Sequence, residues 1–586
     1  MLNNNKENQK SLIEHLSFLY GENKSTLLYT KIMSLLNQFK EDNPDLVKIS
    51  NTEYITERDI ILITYGDMVR CNSEKPLKTL GRLLNKYLVD LISTVHILPF
   101  YPYSSDDGFA VIDYRQVNPE FGKWGDISEI NQNFKLMFDA VINHCSTQNA
   151  MFGGFLRCDP DKLDFFTTVE ANTDLSKVFR PRATPVVTLF KTKDGEKLVW
   201  TTFSADQVDL NFKNPDVLLE MVDIILFYVL HGAKFIRFDA VTYVWKELGT
   251  NCINLPQTHR FVQLMRTILD IAAPGVIIIT ETNVPHKENI AYFGDGTNEA
   301  QMVYNFALPF LTLHCFLSGD VHYLTDWAKS LDLPSQQTTF FNFLACHDGI
   351  GMLPVKDILP ANEVEKVVKH VHANGGFVSF KRNEDGSESP YELNINFLDA
   401  INSSNVEETN KDLLSKKFLA SHAIMLSLRG VPGIYFHSLF GSRNWRYGVE
   451  KTGRYRTINR EKLCFNDLID ELSISDSIRS LIFTGFSKLL KVRKENSAFH
   501  PFGEQRILDI HPSIFAIIRF SPSDNSKILC LHNIRGLLSE LDINLQNIGI
   551  DINSVFTSLL TYEIISPRNG NLKLHIKPYQ VLWLKY

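Results

Sequence analysis

Nine residues, Ala233-Lys234-Phe235-Ile236-Arg237-Phe238-Asp239-Ala240-Val241, constrain this chain more than any others. The run follows the helix-like Leu218 to His231, and its alternate side chains leave on opposite faces, so it reads as a buried parallel strand. Arg237 and Asp239 then share one face. Buried charges are expensive and persist only when they are paired or put to use. Taken alone, the pair has two readings: an ion pair that ties neighbouring strands together, or the beginning of an active site.

The same grammar recurs. Val276 to Thr280 runs into Glu281-Thr282-Asn283, Thr339 to Cys346 into His347-Asp348-Gly349, and Leu136 to Ile142 into Asn143-His144. Four apolar runs therefore end in ionisable clusters. Strand ends of that kind build the active sites of parallel α/β barrels at the C-terminal face.

Quoted as motifs, these stretches are DAVINH (139–144), FIRFDAV (235–241), ITET (279–282) and ACHDG (345–349), and in that order they resemble the four signature regions of the α-amylase superfamily, glycoside hydrolase family 13. The segments HILPFYPYSSDDGFAVIDY (96–114), FRPRATP (179–185) and ETNVPHKENIAYFG (281–294) resemble its sucrose phosphorylase subfamily, and within that most the glucosylglycerate phosphorylase branch. The likeness covers nearly the whole chain after about residue 58.

The resemblance implies an α/β fold: a (β/α)8 TIM barrel with two inserted loop domains and a C-terminal β domain. Residues 1–57, with helical periodicity at Leu12, Leu16, Leu19, Leu27, Ile32 and Leu36, read as a helical extension packed on the barrel. The barrel is expected over 58–144, 214–348 and 400–497, with domain B inserted at 145–213, a second insertion (domain B') at 349–399 and the β domain at 498–586. Strands are expected at Asp59 to Tyr65, Thr94 to Leu98, up to His144, before Asp239, Glu281 and Asp348, at Gln301 to Leu308 as the sixth, and at Gly433 to Phe436 as the eighth.

Cleaving a glycoside needs a carboxylic acid that protonates the leaving oxygen and a carboxylate that meets the oxocarbenium-like carbon. Asp239 and Glu281, on adjacent strands, supply both. By resemblance Asp239 is the nucleophile, Glu281 the general acid and base, and Asp348 the third carboxylate, gripping sugar hydroxyls. Clustered carboxylates raise one another's pKa, so Glu281 is expected to stay protonated while Arg237 keeps Asp239 ionised.

His144 and His347 read alone as core histidines; the resemblance makes them hydrogen-bond donors to the glucosyl unit. Asp106 and Arg456 match the pair that holds the far hydroxyls, and Phe203 and Tyr243 match an aromatic platform, although core packing accounts for them equally. Arg182 matches the arginine that receives phosphate, and Tyr391 a tyrosine that helps it. A planar guanidinium binds an oxyanion bidentately, while the same arginine without the resemblance is a solvated loop charge. Glu392 stands where true sucrose phosphorylases carry glutamine, which argues against fructose as acceptor; the resemblance to the glucosylglycerate branch implies glycerate, the residues themselves leave glycerol open, and Lys381 and Arg382 are further candidates for a glycerate carboxylate.

The expected function is thus reversible phosphorolysis of 2-O-α-D-glucosyl-D-glycerate by double displacement, a hexosyltransferase activity. Alternatives are phosphorolysis of sucrose, glucosylglycerol or sucrose 6'-phosphate, then α-glucosidase action, then a non-catalytic amylase-like subunit, which would lack the carboxylates. In several family amylases the asparagine at position 143 ligates calcium. No second oxygen cluster accompanies it here, so neither metal nor cofactor is expected and Asn143 is read as a strand-end hydrogen-bonding group.

Composition bounds the partners. With 44% hydrophobic and 22% charged residues and a net charge of -7, the chain can bury a large core and offers no broad nucleic-acid surface. The polar Met1 to Asn8 lacks the apolar core of a secretory signal, no run is long enough to span a bilayer, and the eight cysteines show no metal-ligand spacing, so a cytoplasmic protein with reduced thiols is expected. The oligomeric state stays open, a homodimer included.

Overall fold

Short β-branched runs buried on both faces make the core of the fold. In the computed structural model, residues 2–47, 55–383, 385–402 and 410–586 are described; Glu384 and residues 48–54 and 403–409, which belong to the expected insertion, extension and barrel, lie outside them. Eight parallel strands close into a barrel: β1 (Ile61–Thr64), β2 (Thr94–Ile97), β3 (Lys135–Ala140), β4 (Ala233–Phe238), β5 (Ile277–Thr280), β6 (Met302–Tyr304), β7 (Thr339–Phe343) and β8 (Val431–Tyr435). Each pairs with its neighbours in sequence, and β8 returns to β1. Side chains stiff at χ1, as in the Ile277–Thr280 run, fit a pleat packed on both sides.

Register decides what meets what. Arg237 on β4 lies opposite Asp139 on β3 and Ile279 on β5, so the cation of one strand faces an anion of the next inside the barrel. The helix Pro215–Leu230 that delivers β4 starts with Asn214 accepting from the Asp216 N–H and with proline at its first position, where no N–H is needed.

Two expectations are corrected. The third strand ends at Ala140 rather than at His144, which opens a separate short strand, His144–Ser146, antiparallel to Gln207–Asp209. The sixth strand stops at Tyr304 rather than running to Leu308, and a helix, Ala307–Ser318, begins almost at once. Its residues are buried nearly all round, and an apolar run of that kind has no periodicity to separate helix from strand.

Two lobes rise from the C-terminal strand ends. Between β3 and β4, strands Thr168–Val169, Gly195–Trp200 and Val187–Thr192 form a small antiparallel sheet. After β7, strands Ile350–Gly351, Phe377–Arg382 and Glu388–Asn394 form another. The lobes touch at an antiparallel bridge between Arg180 and Arg382. Beyond the barrel, a six-stranded and a two-stranded sheet close over a separate apolar cluster around Ile518, Leu529 and Phe556.

At the other end of the chain, α1 (Leu2–Tyr20) and α2 (Glu22–Asp42) pack on each other and on the helix Pro256–Ala272 through buried Leu12, Leu16, Leu28, Ile32 and Leu36. The Tyr20 hydroxyl donates to the Phe212 carbonyl at 3.0 Å, and its ring lies edge-on to Trp245. No described helix is long and apolar enough to cross a membrane.

Candidate active site

Arg237 organises the floor of the barrel mouth. Its Nη1 donates to Asp139 and, at 2.7 Å, to Asp239 Oδ1, while Nη2 lies 3.9 Å from Glu281 Oε2. His96 on β2 holds the second Asp139 oxygen at 2.7 Å. Arg237, Asp139, Asp239 and His96 are buried and Glu281 is only partly exposed, so the guanidinium is fixed before any ligand arrives. Asp139 and His96 were not among the site residues expected from sequence; the signal was the aspartate that opens DAVINH, directly opposite Arg237 in the strand register.

Directly after Asp239, Ala240 adopts the left-handed conformation (φ 51°), unfavourable by about 1–2 kcal/mol for a residue with a Cβ. That turn aims its N–H at Glu281 Oε2, 3.0 Å away. Nucleophile and acid candidates are thus joined through one backbone amide. Burial pushes the Asp239 carboxyl well above its ordinary range, with Arg237 pulling it back and Glu281 raising it further. Burial raises Glu281 as well. Two such neighbours cannot both ionise cheaply, and Arg237, bonded to Asp239 but only near Glu281, favours the charge on Asp239 and the proton on Glu281.

Asp348 is different. Burial would raise it, but Arg456, Arg460 and Arg237 together hold it below its ordinary value. Arg456 donates to Asp348 and grips Glu392 with two nitrogens, at 2.9 and 2.5 Å. Gly349 sits where a Cβ would meet the Leu393 carbonyl at 2.4 Å, so only glycine lets the Glu392 strand come this close. Glu392 also accepts from the Gly349 N–H at 3.2 Å. Its oxygens are therefore engaged with Arg456 and the backbone.

Asp106 does not pair with Arg456. Arg460, at the end of the same RTINR segment, binds Asp107 at 2.7 Å, reaches Asp106 and Asp348 at 3.4 and 3.5 Å, and donates to the His347 carbonyl at 2.8 Å. The turn is built for this: Asp106 and Asp107 are both left-handed, and Gly108 presses on the Pro99 carbonyl where a Cβ would come within 2.4 Å. Asp106 and Arg456 both face the cavity, each with another partner.

Burial lowers the pKa of His144 and, with Arg237 and Arg460 adding to it, pushes His347 well down, so both rings are neutral at pH 7. His347 stacks on Phe109 with centroids 4.9 Å apart. His144 contacts the Phe109 carbonyl at 2.9 Å and Gln207 at 3.1 Å. Phe203 and Tyr243 meet edge to face at 5.3 Å. The Arg182 guanidinium lies 5.9 Å from the ring centroids of both Phe203 and Tyr391 and makes no ion pair among the described residues.

These side chains line one cavity of about 70 Å³, which takes in Asp106, His144, Arg182, Phe203, Tyr243 and the rest of the expected catalytic and sugar-binding set but not Arg237, the buried support. At about 10–15 Å³ per water it has room for about five waters, closer to the scale of one sugar ring than of a polymer cleft. Phe109 and Gln207 join the lining without having been foreseen. Lys381 and Arg382 lie outside it, in a neighbouring depression.

Asn143 keeps its hydrogen-bonding place. It donates to Asp209 at 3.0 Å and accepts at 2.7 Å from Lys246, whose ammonium is also 2.7 Å from Asp209. A divalent cation between these oxygens would have to displace a buried ammonium, so the donor set does not fit a calcium ion. Lys246 carried no signal in the sequence.

A barrel with three carboxylates and a guanidinium at its mouth defines a glycoside-processing site of the amylase type. Residues 84–347 match the family described as alpha amylase, catalytic domain. The chain belongs to this family, glycoside hydrolase family 13. Its likeness is more specific than that: a glucosylglycerate phosphorylase from Spirochaeta thermophila is 48% identical over 578 residues, 97% of each chain. Another so named, from Escherichia coli K12, is 42% identical over 98% of this chain and 100% of its own. Among solved structures, the sucrose 6F-phosphate phosphorylase from Thermoanaerobacter thermosaccharolyticum superposes with a TM-score of 0.71 at 25% identity, over 91% of this chain and 100% of its own.

Proposed function

We propose that this chain is a retaining phosphorylase of 2-O-α-D-glucosyl-D-glycerate. The observation that carries the reading is the near-complete likeness to proteins of that name, joined to Arg182 standing near Phe203 and Tyr391 in the cavity that Asp239 and Glu281 also line. Asp239 Oδ2, the oxygen not held by Arg237, attacks the anomeric carbon as Glu281 passes its proton to the departing glycerate oxygen. Phosphate then attacks the glucosyl ester from the face glycerate left. Its proton goes to Glu281, Asp239 departs as carboxylate, and α-D-glucose 1-phosphate forms with configuration retained.

Asp348, held anionic by Arg456 and Arg460, serves as the acceptor of sugar hydroxyl hydrogen bonds. Neutral His347 presents a ring N–H without adding charge beside the developing cation, whereas the one N–H of neutral His144 goes to the Phe109 carbonyl, 2.9 Å away, and has to leave it to reach a sugar hydroxyl. Arg182 serves the glycerate carboxylate in the first step and phosphate in the second, which fits one half-buried cation used in turn. In the test, Arg182→Ala should lose phosphorolysis by about 10²-fold or more, the scale of a lost charge-assisted oxyanion contact, while glucosyl transfer to water from α-D-glucosyl fluoride, a donor with no oxyanion for Arg182 to hold, falls far less. Equal losses in both would make Arg182 structural.

A further inference from the structure

A second, wider depression of about 680 Å³ is lined by residues of both lobes. Phe179 lines it and also packs on the Ala240, Tyr243 and Ile253 cluster, two members of which, Ala240 and Tyr243, line the catalytic cavity. Lys177, Arg180, Lys381 and Arg382 line the depression, and Asp385 is the carboxylate among its described lining. That carboxylate is turned into its own turn, accepting from the Ser387 N–H at 2.9 Å and hydroxyl at 2.5 Å.

Arg180 and Arg382 are direct partners in the antiparallel bridge that joins the lobes. Residues so opposed project to the same face with Cβ atoms about 4.5–5.5 Å apart, where like charges repel. Neither guanidinium has an ion pair among the described residues, and Glu388, opposite Arg382 across its hairpin, makes none with it. Two arginines set side by side, with Lys177 in the same lining, suit an oxyanion with several acceptor oxygens, while the Lys381 ammonium is held by Asn383 at 2.7 Å.

We propose that this depression is a second anion site, taking inorganic phosphate or a phosphate monoester between Arg180 and Arg382. Its volume falls within roughly the 300–1,000 Å³ of small-molecule sites. Binding there offsets the repulsion across the bridge and ties the segment carrying Arg182 to the hairpin carrying Tyr391. The site stands apart from the identity of the glucosyl acceptor.

Equilibrium dialysis of the full chain against radiolabelled inorganic phosphate tests this. The expected result is two phosphates per chain, with Arg180→Gln/Arg382→Gln weakening one site by at least about tenfold and Arg182→Ala removing the other. Without phosphate the double variant should unfold no earlier than the wild type, because repulsion has been removed; should it fail to fold, Arg382→Gln alone reads the same loss. A single phosphate per chain, or two that survive the double substitution, would overturn the proposal. One site lost with Arg180 and Arg382 but indifferent to Arg182→Ala would uphold it while contradicting the role given to Arg182. Repeating the titration with glucose 1-phosphate separates a monoester site from one that admits only the free ion, and weaker binding of both than of chloride would also overturn it.

Discussion

At the scale of single residues, Arg237 and the charges around it set the chemistry of the barrel mouth. Asp239→Ala should abolish phosphorolysis and leave the fold intact; substantial turnover would remove Asp239 as nucleophile. Asp139→Ala acts on a different property. It leaves a buried guanidinium without its main partner, so a loss of about 3–5 kcal/mol in unfolding free energy is expected, and an unchanged denaturant midpoint would contradict the anchoring role. The Glu281 carboxyl, raised by burial, has a definite sign of pH dependence. Between the ordinary carboxylate range and its raised value the folded chain binds more protons than the unfolded one, so stability falls as pH rises through that window. Glu281→Gln should flatten that part of the pH profile of the unfolding midpoint and slow turnover by about 10²–10⁴-fold; an unaltered pH slope would show that Glu281 is not the buried acid.

At the scale of elements, the strand ends were legible and their supports were not. Asp239, Glu281 and Asp348 close apolar runs, and a carboxylate at the end of such a run stands out in any reading of the chain. Lys246 and Arg460 do not, because each acts through a long side chain reaching a partner distant in sequence: Asn143 for one, Asp107 for the other. The sixth strand was overdrawn for a related reason, since its last apolar residues belong to a helix buried on every side. Lys246→Met tests the cross-link between strand end and lobe: it strands Asp209 without its cation, and a loss of about 3–5 kcal/mol is expected, with calcium giving no recovery. Restoration by calcium would mean that the oxygens do form a metal cradle.

At the scale of the whole molecule, barrel, lobes and helical hairpin converge on one mouth. Tyr20 reaches Phe212 and Trp245, neighbours of the Lys246 cross-link, so α1 and α2 buttress the same lobe that carries Arg182. Leu16→Ala, in the fully buried seam of that hairpin, should cost about 2–4 kcal/mol, read by chemical denaturation. The fold class could be read from four strand ends in order, whereas the pairing of Arg456 with Glu392, and of Asp106 and Asp107 with Arg460, depends on loops whose meeting no local pattern records. The most direct measurement is phosphate release from α-D-glucose 1-phosphate with D-glycerate, glycerol, fructose, fructose 6-phosphate or no acceptor. Release that depends on D-glycerate is the predicted result; release with fructose alone, or with no acceptor at all, would contradict it.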